Sequence, residues 1–293
     1  MKYFLILATL LAFSSEVFSQ SPASLELKIW PDTAPGEDPA RSIGKGVAAP
    51  SIFLFQPENK TSETCMIICP GGGYNGLAID HEGHKIAHFY NSKGMTAIVL
   101  KYRVPRRFPE PNLKHIAAWQ DVQRAIRVVR SHGKDWGFNT EKIGLTGFSA
   151  GGHLTLMAAT TSQTPAYEPI DELDKSVPCH VNFAVPVYPA YVLEDGMNGP
   201  NKDQGNNSAM VKDFAFDAKT PPMCLIHGDI DGYSPMGSIA VYHKLRTMKI
   251  PAEIHIFSKV GHGFGATPTL DPNNRHVGDW LNRAYEALKV FGF

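Results

Sequence analysis

Gly147, Phe148, Ser149, Ala150 and Gly151 follow the β-rich run Lys142 to Thr146 and precede a helical pattern from His153 to Ala159. A serine between glycines at a strand-to-helix turn is lifted above the sheet, where an imidazole can reach its hydroxyl. The helix beginning there also aims free N–H groups and its positive dipole end at the same point. Serine alone is a weak nucleophile, so the chemistry needs a base, an acid to orient the base, and donors for a developing oxyanion.

Pro70, Gly71, Gly72, Gly73, Tyr74 follows the apolar run Thr64 to Cys69. Consecutive glycines leave backbone N–H groups unobstructed, and the N–H groups of Gly72, Gly73 and Ala150 are expected to form the oxyanion hole. A phosphate loop is the competing reading, but no Lys-[Ser/Thr] pair follows. Chain order then selects the partners, an acid and then a histidine, each on a loop after a later strand. Asp231 lies beyond the run Met223 to His227, in HGDIDGYSP, and His262 lies beyond Ala252 to Phe257, in KVGHGFG. Asp229 competes for the acid role from the same loop. Asp231 is preferred because it stands four residues before Pro235. Ser149, Asp231 and His262 would thus carry covalent acyl transfer without a cofactor.

The elements that must position these residues alternate. The runs Ser51 to Phe55, Thr64 to Cys69, Met95 to Tyr102, Lys142 to Thr146, His180 to Val187, Met223 to His227 and Ala252 to Phe257 are mostly continuously apolar, as in strands buried on both faces of a parallel sheet. Between them lie helical patterns, the clearest being Trp119, Val122, Ile126, Val129, with Asp121, Arg124, Arg127 and Arg130 expected on a solvated face and Asp121 beside Arg124 as a helix pair. A helix from Val277 to Val290 closes the chain. The fold class is α/β, a mostly parallel central sheet flanked by helices on both faces. Ala190 to Met210, rich in Asn, Asp and Gly without a period, reads as a long surface loop.

Composition narrows the function. In 293 residues, 28 Lys+Arg balance 28 Asp+Glu and 43% of residues are hydrophobic, a soluble globular profile with no basic footprint for nucleic acid. Residues 1–19 read as a signal peptide: Lys2, an apolar stretch from Phe4 to Phe13, and small residues to Ser19. The apolar stretch is about half the roughly 20 residues a spanning helix needs, so no stable membrane insertion is expected after cleavage. Residues 20–293 are then expected to be one exported domain, periplasmic or secreted. Cys65, Cys69, Cys179 and Cys224 could pair in an oxidising compartment. Cys65 and Cys69 are not expected to pair with each other, since a strand holds their Cα atoms about 13 Å apart.

The chain resembles the α/β-hydrolases, and within them the bacterial carbohydrate esterases that remove acetyl, and in some members feruloyl, groups from xylan. The resembling segments are PGGGY (70–74), DHEG (80–83), LKYRV (100–104), GFSAGGH (147–153), HGDID (227–231) and GHGFG (261–265), in the family's order. The resemblance implies a serine carboxylesterase acting on acylated carbohydrate or another small ester. A feruloyl or general short-chain esterase is an alternative. A serine peptidase is disfavoured because the chain has no room for a gating domain, and a non-catalytic binding protein need not keep all three residues. Tyr74 and Tyr233 flank the expected site and could stack on a sugar ring, and Glu82 is expected in a substrate-facing or supporting role. His81, His84 and His88 are spaced as one helix face, but the pattern is not HExxH and no metal is assigned. His153, four residues past Ser149, is expected to be a packed, hydrogen-bonded histidine rather than a base.

Overall fold

The computed structural model describes residues 23–37, 49–104, 115–196, 208–266 and 276–293. The expected leader, 1–19, and residues 197–207 of the expected loop lie outside the described residues. Eight strands form one sheet: Leu25–Lys28 (β1), Ser51–Phe55 (β2), Cys65–Cys69 (β3), Thr96–Lys101 (β4), Ile143–Phe148 (β5), Phe183–Val187 (β6), Met223–Gly228 (β7) and Ala252–Phe257 (β8). Their spatial order is β1-β2-β4-β3-β5-β6-β7-β8. β2 runs antiparallel to both β1 and β4, and the remaining neighbours are parallel.

The helices are Lys85–Ser92 (α1), Ile116–Ser131 (α2), Ala150–Thr160 (α3), Glu172–Ser176 (α4), Met236–Thr247 (α5) and Trp280–Phe291 (α6). α1 and α6 cover one face of the sheet, while α2, α3 and α5 cover the other. The continuous apolar character of the strands follows from this double cover. In β3, Met66 and Ile68 enter the core under α1 and α6, and Cys65, Ile67 and Cys69 enter the core under α2 and α3. The mostly parallel, doubly covered sheet expected from the sequence is the observed one. β1 has no signal in the sequence because its four residues, Leu-Glu-Leu-Lys, are mostly exposed and lack a buried run. No helix among the described residues is long and apolar enough to cross a membrane.

α2 corrects the sequence reading. Asp121, Arg124 and Arg130 are buried. Asp121 pairs with Arg103 at 2.9 Å rather than with Arg124, and it also accepts the Trp30 indole N–H at 2.8 Å. Arg124 reaches Asp171 at 2.6 Å and Asp174 at 2.8 Å, and Arg130 donates to the carbonyls of Pro178 and His180. The supposed solvent face is covered by the N-terminal segment and by the α4 region, whose carbonyls and carboxylates satisfy the arginines. All four cysteines are free and buried.

Candidate active site

β5 carries the chain up to Ser149, whose backbone takes φ 54° and ψ −116° before α3 begins at Ala150. That left-handed turn disfavours an L-residue and projects the side chain over the sheet edge. It is possible only because the flanking glycines have no Cβ: one on Gly147 would overlap the Gly151 carbonyl, and one on Gly151 would overlap the Cys69 carbonyl at the end of β3. The Ser149 N–H is held by the Val187 carbonyl at 3.1 Å.

The loop after β8 brings His262 to the serine. Its Nε2 lies 2.7 Å from Ser149 Oγ and its Nδ1 lies 2.7 Å from Asp231 Oδ2. Asp231, at the end of the β7 loop, is fully buried, whereas Asp229 points into solvent. The distinction is one of loop geometry: the Asp231 carboxylate turns inward because Oδ1 accepts the Tyr233 N–H at 2.7 Å. Burial pushes its pKa up, but hydrogen bonds from His227 and His262 and their charges outweigh burial and hold it below the usual carboxylate value.

His227, the first residue of HGDID, carries no role that its place in the sequence reveals. It is fully buried, with Nε2 2.8 Å from the Tyr233 carbonyl and 3.5 Å from Asp231 Oδ2. Since a carbonyl only accepts, Nε2 carries the proton and Nδ1 is left to accept from Ser238 Oγ, 2.8 Å away. The spacing of His227 and Asp231 is visible in the chain, but their packing at the end of β7 is not.

The glycine loop lies against Ser149: a Cβ on Gly71 would sit 3.0 Å from Ser149 Cβ. The N–H groups of Gly72, Gly73 and Ala150 donate to no protein acceptor among the described residues, which leaves them available to a ligand oxygen. Gly71 N–H is not available, because Glu82 Oε2 accepts it at 2.8 Å.

One expected substrate contact, Tyr74, is corrected, and of the two roles expected for Glu82 the geometry fits the supporting one rather than the substrate-facing one. Tyr74 is 1% exposed, and its hydroxyl shares a 2.8 Å hydrogen bond with His153 Nδ1, so it offers no face to a sugar. Glu82 is 5% exposed and holds backbone and Tyr188 rather than facing a cleft. Tyr233 remains at the surface, its ring 5.0 Å from that of His262 and 5.3 Å from that of Tyr191. Tyr191, which has no distinguishing signal inside the expected loop, stacks on Tyr74 at 6.0 Å. With Pro189, Val192, Leu193, Asp195 and Ser234, the two tyrosines line an open depression in the surface.

The histidines of the 81–88 segment diverge: His81 Nε2 lies 3.3 Å from the Gly263 carbonyl, while His84 and His88 pack against Phe55. His153 is fully buried as expected, and burial, followed by the nearby His115, pushes its pKa well below the ordinary value.

The BD-FAE family model matches residues 52–212, more than half of the chain. The chain is 27% identical to an acetylxylan esterase of Xylanibacter ruminicola over 78% of this chain and 47% of that protein. It is 25% identical to endo-1,4-beta-xylanase B of Butyrivibrio fibrisolvens over 73% of this chain and 34% of that one. These matches span less than half the length of those relatives. Among solved structures, the acetyl ester-xyloside bifunctional hydrolase of Caldicellulosiruptor lactoaceticus superposes with a TM-score of 0.74 at 27% identity, covering 94% of this chain and 99% of that one.

Proposed function

From the premise that the chain belongs to the BD-FAE family and is an α/β-hydrolase, we propose that it is an exported serine carboxylesterase. In this reading it removes short acyl groups, acetyl first, from the hydroxyls of a xylan-type carbohydrate. The observation that carries the reading is the unbroken line Ser149 Oγ, His262 and Asp231, with both hydrogen bonds at 2.7 Å. His262 Nε2 takes the serine proton as Oγ attacks the ester carbonyl. The buried Asp231 fixes the tautomer with the proton on Nδ1 and stabilises the imidazolium that forms. The N–H groups of Gly72, Gly73 and Ala150 receive the oxyanion, a contribution of about 2.7–4 kcal/mol per donor in comparable sites. His262 then protonates the departing alkoxide, and water repeats the sequence on the acyl-enzyme.

The leaving oxygen must pass close to His262 Nε2, so the group beside Tyr233 and Tyr191 is the alcohol half of the ester. An aromatic floor with polar edges suits a pyranose ring. Among the described residues the depression beside the tyrosines mixes polar and apolar groups, Asp195 and Ser234 beside Val192 and Leu193, which suits a short acyl ester of a sugar better than a long chain. The xylan assignment also draws on the relatives, one an acetylxylan esterase and another a xylanase. Among the described residues, nothing at the site resembles the paired carboxylates of a glycosidase. Export rests on the apolar leader, residues 4–13 behind Lys2.

The test is kcat/KM over p-nitrophenyl acetate, butyrate and octanoate, with acetate release from acetylated xylan and ferulate release from a feruloylated oligosaccharide measured beside it. Acetate should be preferred, and acetylated xylan should react. A preference for octanoate overturns the carbohydrate reading, and ferulate release without acetate release moves the acyl group to feruloyl.

A further inference from the structure

Glu82 lies in a π-helical turn, Asp80–His84, just before α1, and is buried between the two loops that the proposed reaction brings together. Its Oε2 accepts the Gly71 N–H at 2.8 Å, at the base of the glycine loop. Its Oε1 accepts the Tyr188 hydroxyl at 2.7 Å. That hydroxyl in turn accepts the Gly265 N–H at 2.9 Å, three residues beyond His262, and the Gly265 carbonyl is tied to the Trp280 indole at 2.9 Å. One carboxyl group thus joins the oxyanion side of the site to the histidine side through a single phenol.

Both ends are set close to the reacting atoms. The Gly71 carbonyl accepts from Ala78 N–H at 2.9 Å and the Pro70 carbonyl from the Tyr102 hydroxyl at 2.5 Å, so the start of the loop is fixed on both sides of the peptide that Glu82 holds. Gly71 itself lies against Ser149. At the other end the Tyr188 ring is 5.0 Å from the His262 ring and 4.5 Å from that of Phe264. Tyr188 comes directly after Val187, whose carbonyl holds the Ser149 N–H. We propose that Glu82, acting through Gly71 and Tyr188, is a positioning residue that fixes the oxyanion donors relative to His262. The proposal rests on the esterase reading given above. Glu82 touches no reacting atom. Its effect is on the transition state, because oxyanion donors are strong only when held within a few tenths of an ångström of the developing charge.

Glu82→Gln keeps the shape but replaces one accepting oxygen with a donor, so it can satisfy Gly71 or Tyr188 in the present geometry but not both. Tyr188→Phe cuts the link to Gly265 and leaves the Gly71 bond intact. With p-nitrophenyl acetate and active sites counted by fluorophosphonate titration, kcat per titrated site should fall about 10- to 100-fold in Glu82→Gln with KM changed less than about threefold. It should fall by less in Tyr188→Phe. The double variant should be little worse than Glu82→Gln alone, since both break one connection. Affinity for a short-chain boronic acid, which mimics the tetrahedral intermediate, should fall in parallel with kcat/KM. A merely structural Glu82 would lower the number of titratable sites and the Tm while leaving kcat per site and boronic acid affinity at wild-type values. That result overturns the proposal, and Tyr188→Phe with wild-type kcat and boronic acid affinity overturns it even if Glu82→Gln fails to fold. If the wild-type protein hydrolyses no ester and is indistinguishable from Ser149→Ala, the esterase reading has failed and the positioning role falls with it.

Discussion

Asp231→Asn removes a charge from the proposed site without changing its volume, and the hydrogen-bond geometry dictates how the site rearranges. In the native arrangement Oδ1 accepts the Tyr233 N–H and Oδ2 accepts His262 Nδ1–H, each at 2.7 Å. Asparagine has one accepting oxygen. The Tyr233 N–H is a fixed backbone donor in a buried turn and cannot be turned into an acceptor, so the amide oxygen goes there and the NH₂ faces His262. Nδ1 must then accept, which moves the imidazole proton to Nε2, where it opposes the Ser149 hydroxyl. The same wrong-tautomer substitution in a Ser-His-Asp protease costs about 10⁴ in kcat, equivalent to about 5.4 kcal/mol of transition-state stabilisation. Asp229→Asn, at an exposed carboxylate, should leave kcat within about twofold. Stopped-flow hydrolysis of p-nitrophenyl acetate reads both, and circular dichroism confirms folding. If Asp231→Asn keeps more than a tenth of wild-type kcat, or Asp229→Asn loses more than Asp231→Asn, the acid has been misassigned.

Ser149→Ala should abolish turnover by about 10⁶-fold in kcat while leaving the fold intact, as read by ester hydrolysis beside thermal melting. Ser149→Gly should be equally inactive but about 1 kcal/mol more stable than Ser149→Ala, because φ 54° at this elbow strains every residue with a Cβ; equal Tm values would remove that strain argument. Asp121→Ala removes the buried carboxylate that faces the Arg103 guanidinium and should cost about 3–5 kcal/mol in urea unfolding, so a loss below 1 kcal/mol would show that the pair is not structurally required. His153, with its pKa driven down by burial, is neutral when folded but takes up a proton when unfolded. Stability is therefore complete above the unfolded value of about 6.5 and declines as pH falls toward the folded value, by up to about 1.4 kcal/mol per pH unit. Tm should drop between pH 7 and pH 5, and His153→Asn should flatten that slope; an unchanged slope would locate the proton uptake elsewhere.

The sheet and the turn that carries Ser149 were legible because their signals are local. A buried parallel strand is a short apolar run, and the turn at Ser149 needs small residues within two positions of the serine, so Gly147 and Gly151 announce it in the chain. Chain order and loop position made Asp231 and His262 candidates, but two carboxylates two residues apart look alike in a sequence. Only the folded turn, with the Tyr233 N–H capturing Asp231 while Asp229 faces water, separates them.

Burial of polar groups was the least legible property, because it depends on what distant segments lay over a helix. The arginines of α2 read as a solvated stripe from their 3.6-residue spacing, but Asp171, Asp174, Pro178 and His180, 47 to 50 positions away, draw Arg124 and Arg130 into an interior network instead. Tyr74 and Glu82 obey the same rule: near the site in sequence, they are turned inward by His153 and by Gly71 with Tyr188. The sequence by itself determined the kind of chemistry the residues could perform, since that is set by side-chain type and by the local backbone those types allow. The tertiary structure alone decided which groups face solvent, which tautomer each histidine holds and which carbonyl or carboxylate each donor meets, because those depend on contacts between residues as far apart as Glu82 and Tyr188.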